Sequence, residues 1–520
     1  MKIVSAEEMK NLDRETSEKF GINEEILMEN ASIGTYMALR KHCDLEKSNI
    51  LLVAGVGNNG GDALALARKL FTMNYKVSVL LVDGSDKYKN ASRFNFEILS
   101  KLNINIYRYE DIVNTNLFFD EFNLLIDGIF GISLKGNVEG KYFDLISKLN
   151  SLNAYKLALD IPSGICSDTG KVCGIAFKAD LTVTYGFIKY GNIFYDGFEY
   201  GGILYKCNIS IPESLGENID TEINVAQELS QRNPNSHKGS FSKILFIGGG
   251  SQYYGAPYLN SVAFLKSGGA YSRLACPNTL VKTLGTKANE VVYYPMKETS
   301  RGNISIENLK YLIDLSKEMD LIVLGGGMSL DEEPQRLSQI LISKLECPIL
   351  IDADALSALA EKMEILYKRQ APTILTPHMG EMSKLCKMKV EDILKNPVYI
   401  AREFAKKYRV ILVLKGARTI IAYPNGKIYI NISGNSVLSV AGSGDILAGI
   451  IAGQFALGLN LEKAVSNGVF LHGYCGDLVR DKIGEDGVMA EDILNNLPST
   501  LKNFRANFKE IKDSYSIKSF

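Results

Sequence analysis

The sequence lacks the residue spacings that mark zinc sites and disulfide-stapled folds. Its eight cysteines form no CxxC pair, and its four histidines form no HExxH pair. Cysteines scattered in this way are typical of small buried side chains in a reducing compartment. We therefore expect a cytoplasmic protein, and we do not expect a zinc enzyme.

The chain also lacks an excess of charge of either sign. Its 58 Lys and Arg residues nearly cancel its 59 Asp and Glu residues, for a formal net charge of -1. This balance gives no electrostatic reason to expect nucleic acid or an anionic membrane as a partner. The longest apolar run, near residues 446–459, is interrupted by glycines and predicts a buried helix rather than a membrane span. The polar N-terminus has no apolar signal core, so we do not expect export.

No GxxxxGK[ST] sequence is present, which excludes a P-loop as the nucleotide cradle. Short apolar runs instead alternate with helix-like periodic segments through most of the 520 residues. These runs begin at Asn49, Lys76, Phe122, Tyr155, Lys243, Asp320, Pro348 and Val410, and each ends in Gly, Asp or Pro. The pattern predicts an α/β protein with two doubly wound, mainly parallel sheets covered by helices on both faces.

A change in composition divides the chain into two domains. Residues 216–235 are polar and carry turn formers, and we interpret them as a linker. This places one domain at 1–215 and a second at 236–500. Residues 501–520 are charged with only scattered apolar residues, which predicts a C-terminal tail that is a surface helix or partly disordered.

A strand, a glycine-rich turn and a helix are predicted in the stretch ILLVAGVGNNGGDALALARKL, which begins at Ile50. Its glycine spacing satisfies GxGxxG, which lets backbone amides approach a phosphate at a helix N-terminus. Two amides and a carboxylate, on Asn58, Asn59 and Asp62, crowd the same turn and offer donors and hard oxygen ligands. The alternative is that Asp62 caps the helix and the asparagines fill left-handed turn positions.

Two further strands of the first domain end in an aspartate. Asp127 closes NLLID, and Asp160 closes KLALD, which Ser163 follows three residues later. The carboxyl ends of parallel strands form one edge of a sheet, where ligands bind at a switch in strand order. We therefore expect Asn59, Asp127 and Ser163 to converge and to supply oxygens to one hard cation.

The second domain contains Gly442, Ser443, Gly444 and Asp445 at the start of an apolar, glycine-containing helix. Consecutive backbone amides at such a start form an anion hole. Asp445 beside them is placed to take a proton from a substrate hydroxyl while a phosphoryl group arrives. The alternative is that Asp445 only caps a tightly packed core helix.

Polar residues follow other strands of the second domain. They are Lys415, Gly416, Arg418 and Thr419 in KGART, His378 and Glu381 in TPHMGE, and Asp352 and Asp354 in DADAL. The basic group suits phosphate or adenine, and the two aspartates are either helix caps or carboxylates beside magnesium. The single histidine is either a structural side chain or a ligand contact.

The motifs of the first domain together resemble the Rossmann-like epimerase domain of the NAD(P)H-hydrate repair enzymes. NNGGD, DGIFGISLKG, DIPSG and TVTYGFIKYG carry the resemblance, which covers most of residues 1–215. It implies interconversion of the R and S epimers of hydrated NADH and NADPH, called NADHX and NADPHX. The implied hydrate contacts are Asn58, Asn59, Gly60, Gly61, Asp62, Gly131, Ile132, Ser133, Leu134, Lys135, Gly136, Asn137 and Asp160.

The same resemblance implies a potassium ion at Asn59, Asp127 and Ser163. Asp160 is the candidate for acid–base work at the epimerising carbon. Ring opening is an alternative route to the other epimer.

The motifs of the second domain resemble the ribokinase-like superfamily, and within it the ADP/ATP-dependent NAD(P)H-hydrate dehydratases. YYGAP, DADAL, TPHMGE, KGART and GSGD carry this resemblance, which covers about 240–498. The implied hydrate contacts are Ala256, Gly327, His378 and Asp445, with Asp445 also catalytic. The implied nucleotide contacts are Lys415, Gly416, Ala417, Arg418, Thr419 and Gly444.

Together the two resemblances imply a bifunctional enzyme. The first domain would equilibrate the epimers, and the second would dehydrate the S form at the expense of ADP, giving AMP and phosphate. Transfer of a phosphoryl group onto the hydroxyl would make it a good leaving group, with Mg²⁺ on the nucleotide. We expect a homo-oligomer that binds neither nucleic acid nor membrane.

Two alternatives are compatible with parts of the sequence. A hydroxymethylpyrimidine- or thiazole-type kinase would use the same Asp445, although YYGAP, KGART and the first domain argue against it. The first domain could instead be a dimerising or ligand-sensing scaffold, which the presence of Asp62, Asp127 and Asp160 opposes.

Overall fold

The chain forms two compact units in a computed structural model that describes residues 1–112 and 118–520. The first unit contains Met1–Thr221 and Ile517–Phe520, and the second contains Glu222–Ser516. Each unit is built around one large sheet. Among the described helices, none is both long and apolar enough to cross a membrane.

Strands and helices alternate along the first unit. Its strands are β1 (Ile3–Val4), β2 (Asn49–Ala54), β3 (Lys76–Leu81), β4 (Asn105–Arg108), β5 (Leu124–Gly128), β6 (Tyr155–Leu159), β7 (Leu181–Tyr185), β8 (Ile188–Lys189) and β9 (Ile203–Cys207). Its helices are α1 (Ala6–Phe20), α2 (Glu24–His42), α3 (Asn58–Thr72), α4 (Asn90–Leu99), α5 (Tyr109–Ile112), α6 (Lys141–Ser151) and α7 (Tyr195–Tyr200). The central strands are buried along almost their whole length, as expected when helices cover both faces of a parallel sheet.

Seven strands of the main sheet of the first unit lie in the order β9-β7-β6-β5-β2-β3-β4. All of these neighbouring pairs are parallel. After β2, the chain adds β3 and β4 on one side of the sheet. It then adds β5, β6, β7 and β9 on the other side. The switch therefore lies between β2 and β5, where a crevice opens at the carboxyl ends of the strands. β1 and β8 form a separate parallel pair.

The second part of the chain also alternates strands and helices. Its strands are β10 (Thr221–Ile223), β11 (Ile244–Ile247), β12 (Ser272–Pro277), β13 (Val292–Met296), β14 (Leu321–Leu324), β15 (Ile349–Ile351), β16 (Thr373–Leu375), β17 (Ile411–Leu414), β18 (Ile420–Ala422) and β19 (Ile428–Ile430). Its helices are α8 (Gly255–Lys266), α9 (Asn278–Lys287), α10 (Leu309–Ser316), α11 (Glu332–Lys344), α12 (Asp354–Ala360), α13 (Ile365–Lys368), α14 (Met379–Cys386), α15 (Val390–Ile393), α16 (Pro397–Tyr408), α17 (Ser443–Ala456), α18 (Leu461–Ile483), α19 (Ala490–Ala506) and α20 (Phe508–Ser514).

This second sheet has the order β10-β19-β18-β17-β16-β15-β14-β11-β12-β13. It is parallel from β13 to β17, and β18 and β19 continue it as antiparallel strands. The order reverses at β11, which lies between β12 and β14. Gly449 lets α17 pack closely on α8, because a Cβ there would come within 2.7 Å of Ala263 Cβ. The two mainly parallel sheets confirm the predicted fold class, and each predicted apolar run contains a strand.

The segment predicted to be a linker contributes to the core of the second unit. Ala226 and Leu229, within 216–235, are buried in that apolar core. Polar residues surround these two apolar residues and obscure them in the sequence. A chain segment that lies on a layer of helices needs only a few buried apolar residues to hold it there.

The segment predicted to be a tail is also structured. Phe504, Phe508 and Ile511 recur at helical spacing in α19 and α20, and they pack on the apolar core of the second unit. A narrow apolar stripe is enough to fix an otherwise charged helix. The chain then ends in β20 (Lys518–Ser519), which pairs in parallel with β9 in the first unit.

Candidate active sites

A cavity of about 590 Å³ opens in the first unit beside the switch between β2 and β5. Its walls come from the turns after β2, β5 and β6, from α1 and α2, and from the end of β8. Nine of the residues expected to contact the hydrate line it: Asn58, Asn59, Asp62, Gly131, Ile132, Ser133, Leu134, Lys135 and Asp160. The fold thus brings three separate sequence motifs to one cavity.

Four of the expected contacts lie outside this lining. They are Gly60, Gly61, Gly136 and Asn137. A Cβ at Gly60 would overlap the carbonyl oxygen of Gly55, and a Cβ at Gly61 would lie 2.6 Å from Ser92 Oγ. In the structure these two glycines therefore serve the close packing of α3 against its neighbours.

Helix α3 begins at Asn58, with Gly57 as its N-cap and without a capping side chain. Asn58 and Asn59 are first-turn residues, and neither adopts a left-handed backbone. Asp62 lies inside the helix and does not cap it. The alternative in which Asp62 caps the helix and the asparagines fill left-handed turn positions is therefore wrong. Asn58 and Asp62 face the cavity instead.

Asn59, Asp127 and Ser163 meet around the backbone of Phe130. Ser163 Oγ and N donate to the Asp127 carboxylate at 2.6 and 2.8 Å, and Asn59 Nδ2 donates to Phe130 O at 2.8 Å. Asn59 Oδ1 is buried, and no described residue donates a hydrogen bond to it. Burial raises the pKa of Asp127 to about 6, although the hydrogen bonds from Ser163 oppose the rise.

A buried amide oxygen without a donor beside a buried carboxylate is the arrangement that a cation would complete. Across residues 1–112 and 118–520, no three His, Cys, Asp or Glu side chains form a group that could hold a metal. The oxygen set here has one carboxylate, one amide and one hydroxyl, from Asp127, Asn59 and Ser163. Such a set suits a hard ion of low charge better than a transition metal.

Asp160 follows β6 with a left-handed backbone, at a φ of 62°. Its Oδ1 accepts hydrogen bonds from Tyr185 N at 3.0 Å, from Thr184 Oγ1 at 3.2 Å and from Lys189 Nζ. Lys189 is only 1% exposed, and a buried ammonium requires a paired carboxylate. Lys189 therefore holds the negative charge of Asp160 in place at the cavity wall.

Lys189 and Asp13 of α1 line the same cavity, and neither was predicted from the sequence. Both carried a readable signal. Lys189 is a charge inside the apolar stretch GFIKY, and Asp13 follows Met9 by four residues on the buried face of α1. A charged residue on an apolar face is rare unless it is paired or functional.

In the second unit, α17 begins at Ser443 with Gly442 as its N-cap, in the left-handed region at a φ of 91°. Asp445 is the third residue of the helix. The alternative in which Asp445 only caps this helix is therefore wrong. The amide of Ser443 donates to Val440 O at 3.2 Å, so one amide of the expected anion hole is already engaged by the protein. A Cβ at Gly326 would lie 3.2 Å from Asp445 Oδ1, and glycine there leaves room beside the carboxylate.

Burial raises the pKa of Asp445 to about 7, and the charge of Asp352 adds to the rise while Lys415 opposes it. Two expected hydrate contacts lie near this carboxylate. A Cβ at Gly326 would contact Ala256 Cβ at 3.6 Å, and the next residue, Gly327, packs against Tyr253.

Lys415 follows β17 and joins the acidic residues of the second site. Its Nζ lies 3.0 Å from Asp352 Oδ1 and 3.9 Å from Glu381 Oε2. Although burial opposes it, these two carboxylates raise the pKa of Lys415. Thr376 Oγ1 donates to the same Asp352 oxygen at 2.8 Å, which fixes the pair. The lysine therefore keeps its charge beside Asp445.

His378 combines a structural and an exposed role. Its Nδ1 accepts hydrogen bonds from Gly380 N at 3.0 Å and from Glu381 N at 3.3 Å, and the Glu381 carboxylate accepts from His378 N at 2.8 Å. This capping box starts α14. The ring also lines a second cavity, so the two interpretations of this histidine are compatible.

This second cavity has a volume of about 380 Å³. Its lining includes five of the residues expected to bind the nucleotide: Lys415, Gly416, Ala417, Thr419 and Gly444. Arg418 is outside the lining, and its Nη1 donates to Ile432 O at 3.2 Å. Arg418 therefore supports the loop after β19 rather than the cavity surface.

The loop after β19 forms another wall of this cavity and is held by Asp477, which sequence analysis missed. Asp477 Oδ2 accepts from Gly434 N at 2.9 Å and from Tyr515 Oη at 2.5 Å, and Oδ1 accepts from Asn435 Nδ2 at 2.7 Å. Gly434 and Asn435 line the cavity. Asp477 is not part of the cavity lining, so its carboxylate on α18 fixes the loop from outside the cavity.

Comparison with known families gives two matches that divide the chain. The sequence model of the family described as NAD(P)H-hydrate dehydratase matches residues 244–499. The sequence model described as YjeF-related protein N-terminus matches residues 24–191.

Curated relatives match over the whole length. The bifunctional NAD(P)H-hydrate repair enzyme of Thermofilum pendens is 42% identical, with 100% of this chain and 99% of that protein covered. The protein of the same name from Moorella thermoacetica is 33% identical, with 98% of both chains covered. A solved ADP/ATP-dependent NAD(P)H-hydrate dehydratase of Bacillus subtilis, co-crystallized with ATP/Mg²⁺, is 28% identical and covers 54% of this chain and 100% of its own, with a TM-score of 0.48. Identity at this level along the full chain shows that the protein belongs to the family of bifunctional NAD(P)H-hydrate repair enzymes.

Proposed function

We propose that this protein repairs hydrated NADH and NADPH by two reactions. The first unit interconverts the R and S hydrates, and the second dehydrates the S hydrate with ADP, giving AMP and phosphate. One observation carries the proposal: a chain aligned throughout with repair enzymes has a lysine–carboxylate pair at a cavity in each of its units.

In the first unit, the 590 Å³ cavity is large enough to enclose the nicotinamide end of a dinucleotide hydrate. Asn58 and Asp62 supply polar contacts at the start of α3, and the 131–135 turn supplies backbone groups. Asp160, held as a carboxylate by Lys189, is the base that takes a proton from the hydrate.

A potassium ion fits the oxygens of Asn59, Asp127 and Ser163, because Asn59 Oδ1 is buried without a donor. When bound, the ion would supply positive charge beside the turn that contains Phe130. Replacing potassium in the buffer with choline is expected to lower the epimerisation rate and to leave dehydration unchanged. Equal rates in both buffers would contradict this site.

In the second unit, Asp445 accepts the proton of the hydrate hydroxyl, and the oxygen attacks the terminal phosphorus of ADP. The bond from that phosphorus to AMP breaks, so AMP leaves with the electron pair. The C–O bond of the phosphorylated hydrate then breaks, phosphate departs, and a proton lost from the neighbouring carbon restores the double bond. Lys415 supplies positive charge beside Asp445 while the phosphoryl group moves.

The cavity formed by Lys415, Gly416, Ala417 and Thr419 receives the nucleotide in this proposal. A magnesium ion would neutralise phosphate charge, and Asp352 and Asp354 are the nearby carboxylates that fit it. Asp354 Oδ2 accepts from Ser329 N at 2.8 Å, which orients that side chain.

The decisive assay uses the full chain with separated R and S hydrates, each with ADP or with ATP. We expect NADH to form from the S hydrate without delay, and from the R hydrate after a lag that epimerisation sets. A kinase of the hydroxymethylpyrimidine or thiazole type would instead phosphorylate a vitamin precursor and leave both hydrates unchanged. That outcome would overturn the repair proposal.

The proposal extends to the location and oligomeric state of the protein and to the division of the two activities along the chain. We propose a cytoplasmic homo-oligomer, tested by cell fractionation and by light scattering of the purified chain. We also propose that the epimerase activity belongs to 1–215 and the dehydratase activity to 236–500. Variants in each segment, assayed for both reactions, test this division.

A further inference from the structure

Asp13 has an unusual position for a carboxylate. It lies on the buried face of α1 and lines the same cavity as Asp160 and Lys189. Its Oδ1 is buried, and within the described part of the chain no group donates a hydrogen bond to it. An unsatisfied buried oxygen is costly, so its retention at a cavity wall indicates a role that a ligand completes.

Lys189, the cation whose charge acts on Asp13, does not hydrogen-bond to its buried oxygen. Lys189 carries three donors, and they are directed to Asp160 Oδ1, to Thr184 Oγ1 at 3.2 Å and to Tyr185 O at 2.8 Å. The ammonium is therefore saturated by partners other than Asp13. It acts on Asp13 only through its charge.

The charged groups that face Asp13 come from four elements. They are Lys189 at the end of β8, Asp160 after β6, Asp62 of α3 and Glu24 of α2. Burial raises the pKa of Asp62 well above its usual range, so Asp160 and Glu24 are the acidic groups whose charge favours a protonated Asp13. Burial raises the pKa of Asp13 to about 7, Lys189 opposes the rise, and Asp160 and Glu24 add to it.

Two of the carboxyl groups that line this cavity, Asp13 and Asp160, thus have different surroundings. Asp160 is paired with the ammonium of Lys189, whereas Asp13 has no hydrogen-bonded cation and has a raised pKa. Two carboxyl groups whose surroundings separate their protonation are a common basis for assigning a base and an acid.

We propose that Asp13 is the catalytic acid of epimerisation, paired with Asp160 as the base. This inference rests on the proposed epimerase function and deepens it. Hydration of the enamine in a dihydropyridine leaves the hydroxyl on the carbon bonded to the ring nitrogen. Opening and reclosing that ring requires one group to remove a proton and another to donate one.

The step balances without any further reactant. Asp160 takes the hydroxyl proton, the C–O bond becomes C=O, and the C–N bond breaks with its electron pair moving to nitrogen. Asp13 gives that nitrogen its proton. The new carbonyl rotates, the nitrogen attacks its other face and returns the proton to Asp13, and the oxygen recovers its proton from Asp160. Both carboxyl groups end as they began.

The test is D13N in the full-length protein, assayed with pure R hydrate by chromatographic separation of the epimers. General acid catalysis contributes about 10²–10⁴-fold, so we expect the epimerisation rate to fall by about 10²-fold or more. We also expect the decline of wild-type epimerisation above pH 7 to disappear in D13N, because that decline reports the loss of the Asp13 proton. Dehydration of S hydrate should be unchanged, because the second unit carries it, and an unfolding midpoint in urea like that of the wild type would show that the first unit still folds.

E15Q is the matched control, since Glu15 lies on the same helix, pairs with Lys19 and is absent from the cavity lining. It should epimerise at the wild-type rate. An active wild type with an equally active D13N would overturn the role of Asp13 alone. A wild type that leaves R hydrate unchanged beyond the spontaneous rate would overturn the epimerase function, and this inference with it.

Discussion

The two sites use the same residue types in a similar arrangement of charges, but their lysines differ in exposure. Each places a lysine against one carboxylate, through Lys189 and Asp160 in the first unit and Lys415 and Asp352 in the second. Each also keeps another carboxyl group with a raised pKa, in Asp13 and Asp445. Both lysines line a cavity, but the side chain of Lys189 is only 1% exposed, whereas that of Lys415 is 20% exposed.

This difference follows the chemistry proposed for each unit. Epimerisation moves protons but transfers no charged group, so a lysine that is fully used by protein oxygens is sufficient. Phosphoryl transfer brings negative charge into the site, so its lysine must remain close to the entering group. The more exposed lysine therefore belongs to the phosphoryl-transfer site, and the more buried one belongs to the isomerase site.

The largest expected effect comes from removing the carboxylate of the second site. D445N keeps the shape of the side chain but cannot accept a proton, so dehydration should fall by about 10³-fold, within the range of general base catalysis. Epimerisation of R hydrate should be unchanged. Both rates can be measured on one sample, and a D445N protein that still dehydrates S hydrate normally would separate Asp445 from the chemistry.

The next effect comes from breaking the pair of the first site. K189M leaves Asp160 buried without its cation, and removal of one partner of a buried ion pair costs about 3–5 kcal/mol. We expect a lower unfolding midpoint in urea and an epimerisation rate reduced by about 10²-fold. K101M is the control, because Lys101 is exposed and lies outside the cavity lining. Equal effects of the two variants would show that Lys189 only fills space.

The pH dependence of the two reactions should differ in sign. Asp445 must be ionised to act as a base, and burial raises its pKa to about 7, so dehydration should fall as the pH drops below 7. Asp13 must be protonated to act as an acid, and burial raises its pKa to about 7 as well, so epimerisation should fall as the pH rises above 7. Each limb approaches a tenfold change per pH unit. Parallel profiles for the two reactions would contradict the assignment of base and acid.

The smallest effect concerns the loop after β19. D477N loses the charge that receives hydrogen bonds from Gly434 N and Asn435 Nδ2, so the nucleotide wall should loosen. A hydrogen bond to a charged group contributes about 1.5–3 kcal/mol, and we expect the KM for ADP to rise by about tenfold with kcat nearly unchanged. D481N is the control, because Asp481 is exposed on the same helix. A fall in kcat alone would contradict a positioning role.

Site residues that lie at the ends of strands could be predicted from the sequence. Asp127, Asp160 and Lys415 follow near-continuous apolar runs, and parallel topology brings such positions to one edge of a sheet. The structure places all three at or beside the sites. This part of each site could be predicted because it depends only on strand pattern and direction.

Residues that reach the sites from helices were not found in this way. Asp13 belongs to α1 and His472 to the interior of α18, where His472 Nε2 lies 3.0 Å from Ser443 Oγ. Which helical side chain meets a cavity depends on packing angles that periodicity does not specify. The buried residues within 216–235 and 501–520 were not predicted for a different reason, which is that few apolar residues mark these segments.

The left-handed backbone at Asp160 also limits how the first site can change over evolutionary time. Residues other than glycine, asparagine and aspartate lose about 1–2 kcal/mol in that conformation. Glutamate would preserve the charge but would carry both this strain and a longer side chain. Lineages that lose the reaction are therefore expected to pass through asparagine or glycine, so the residue at position 160 should distinguish active from inactive descendants.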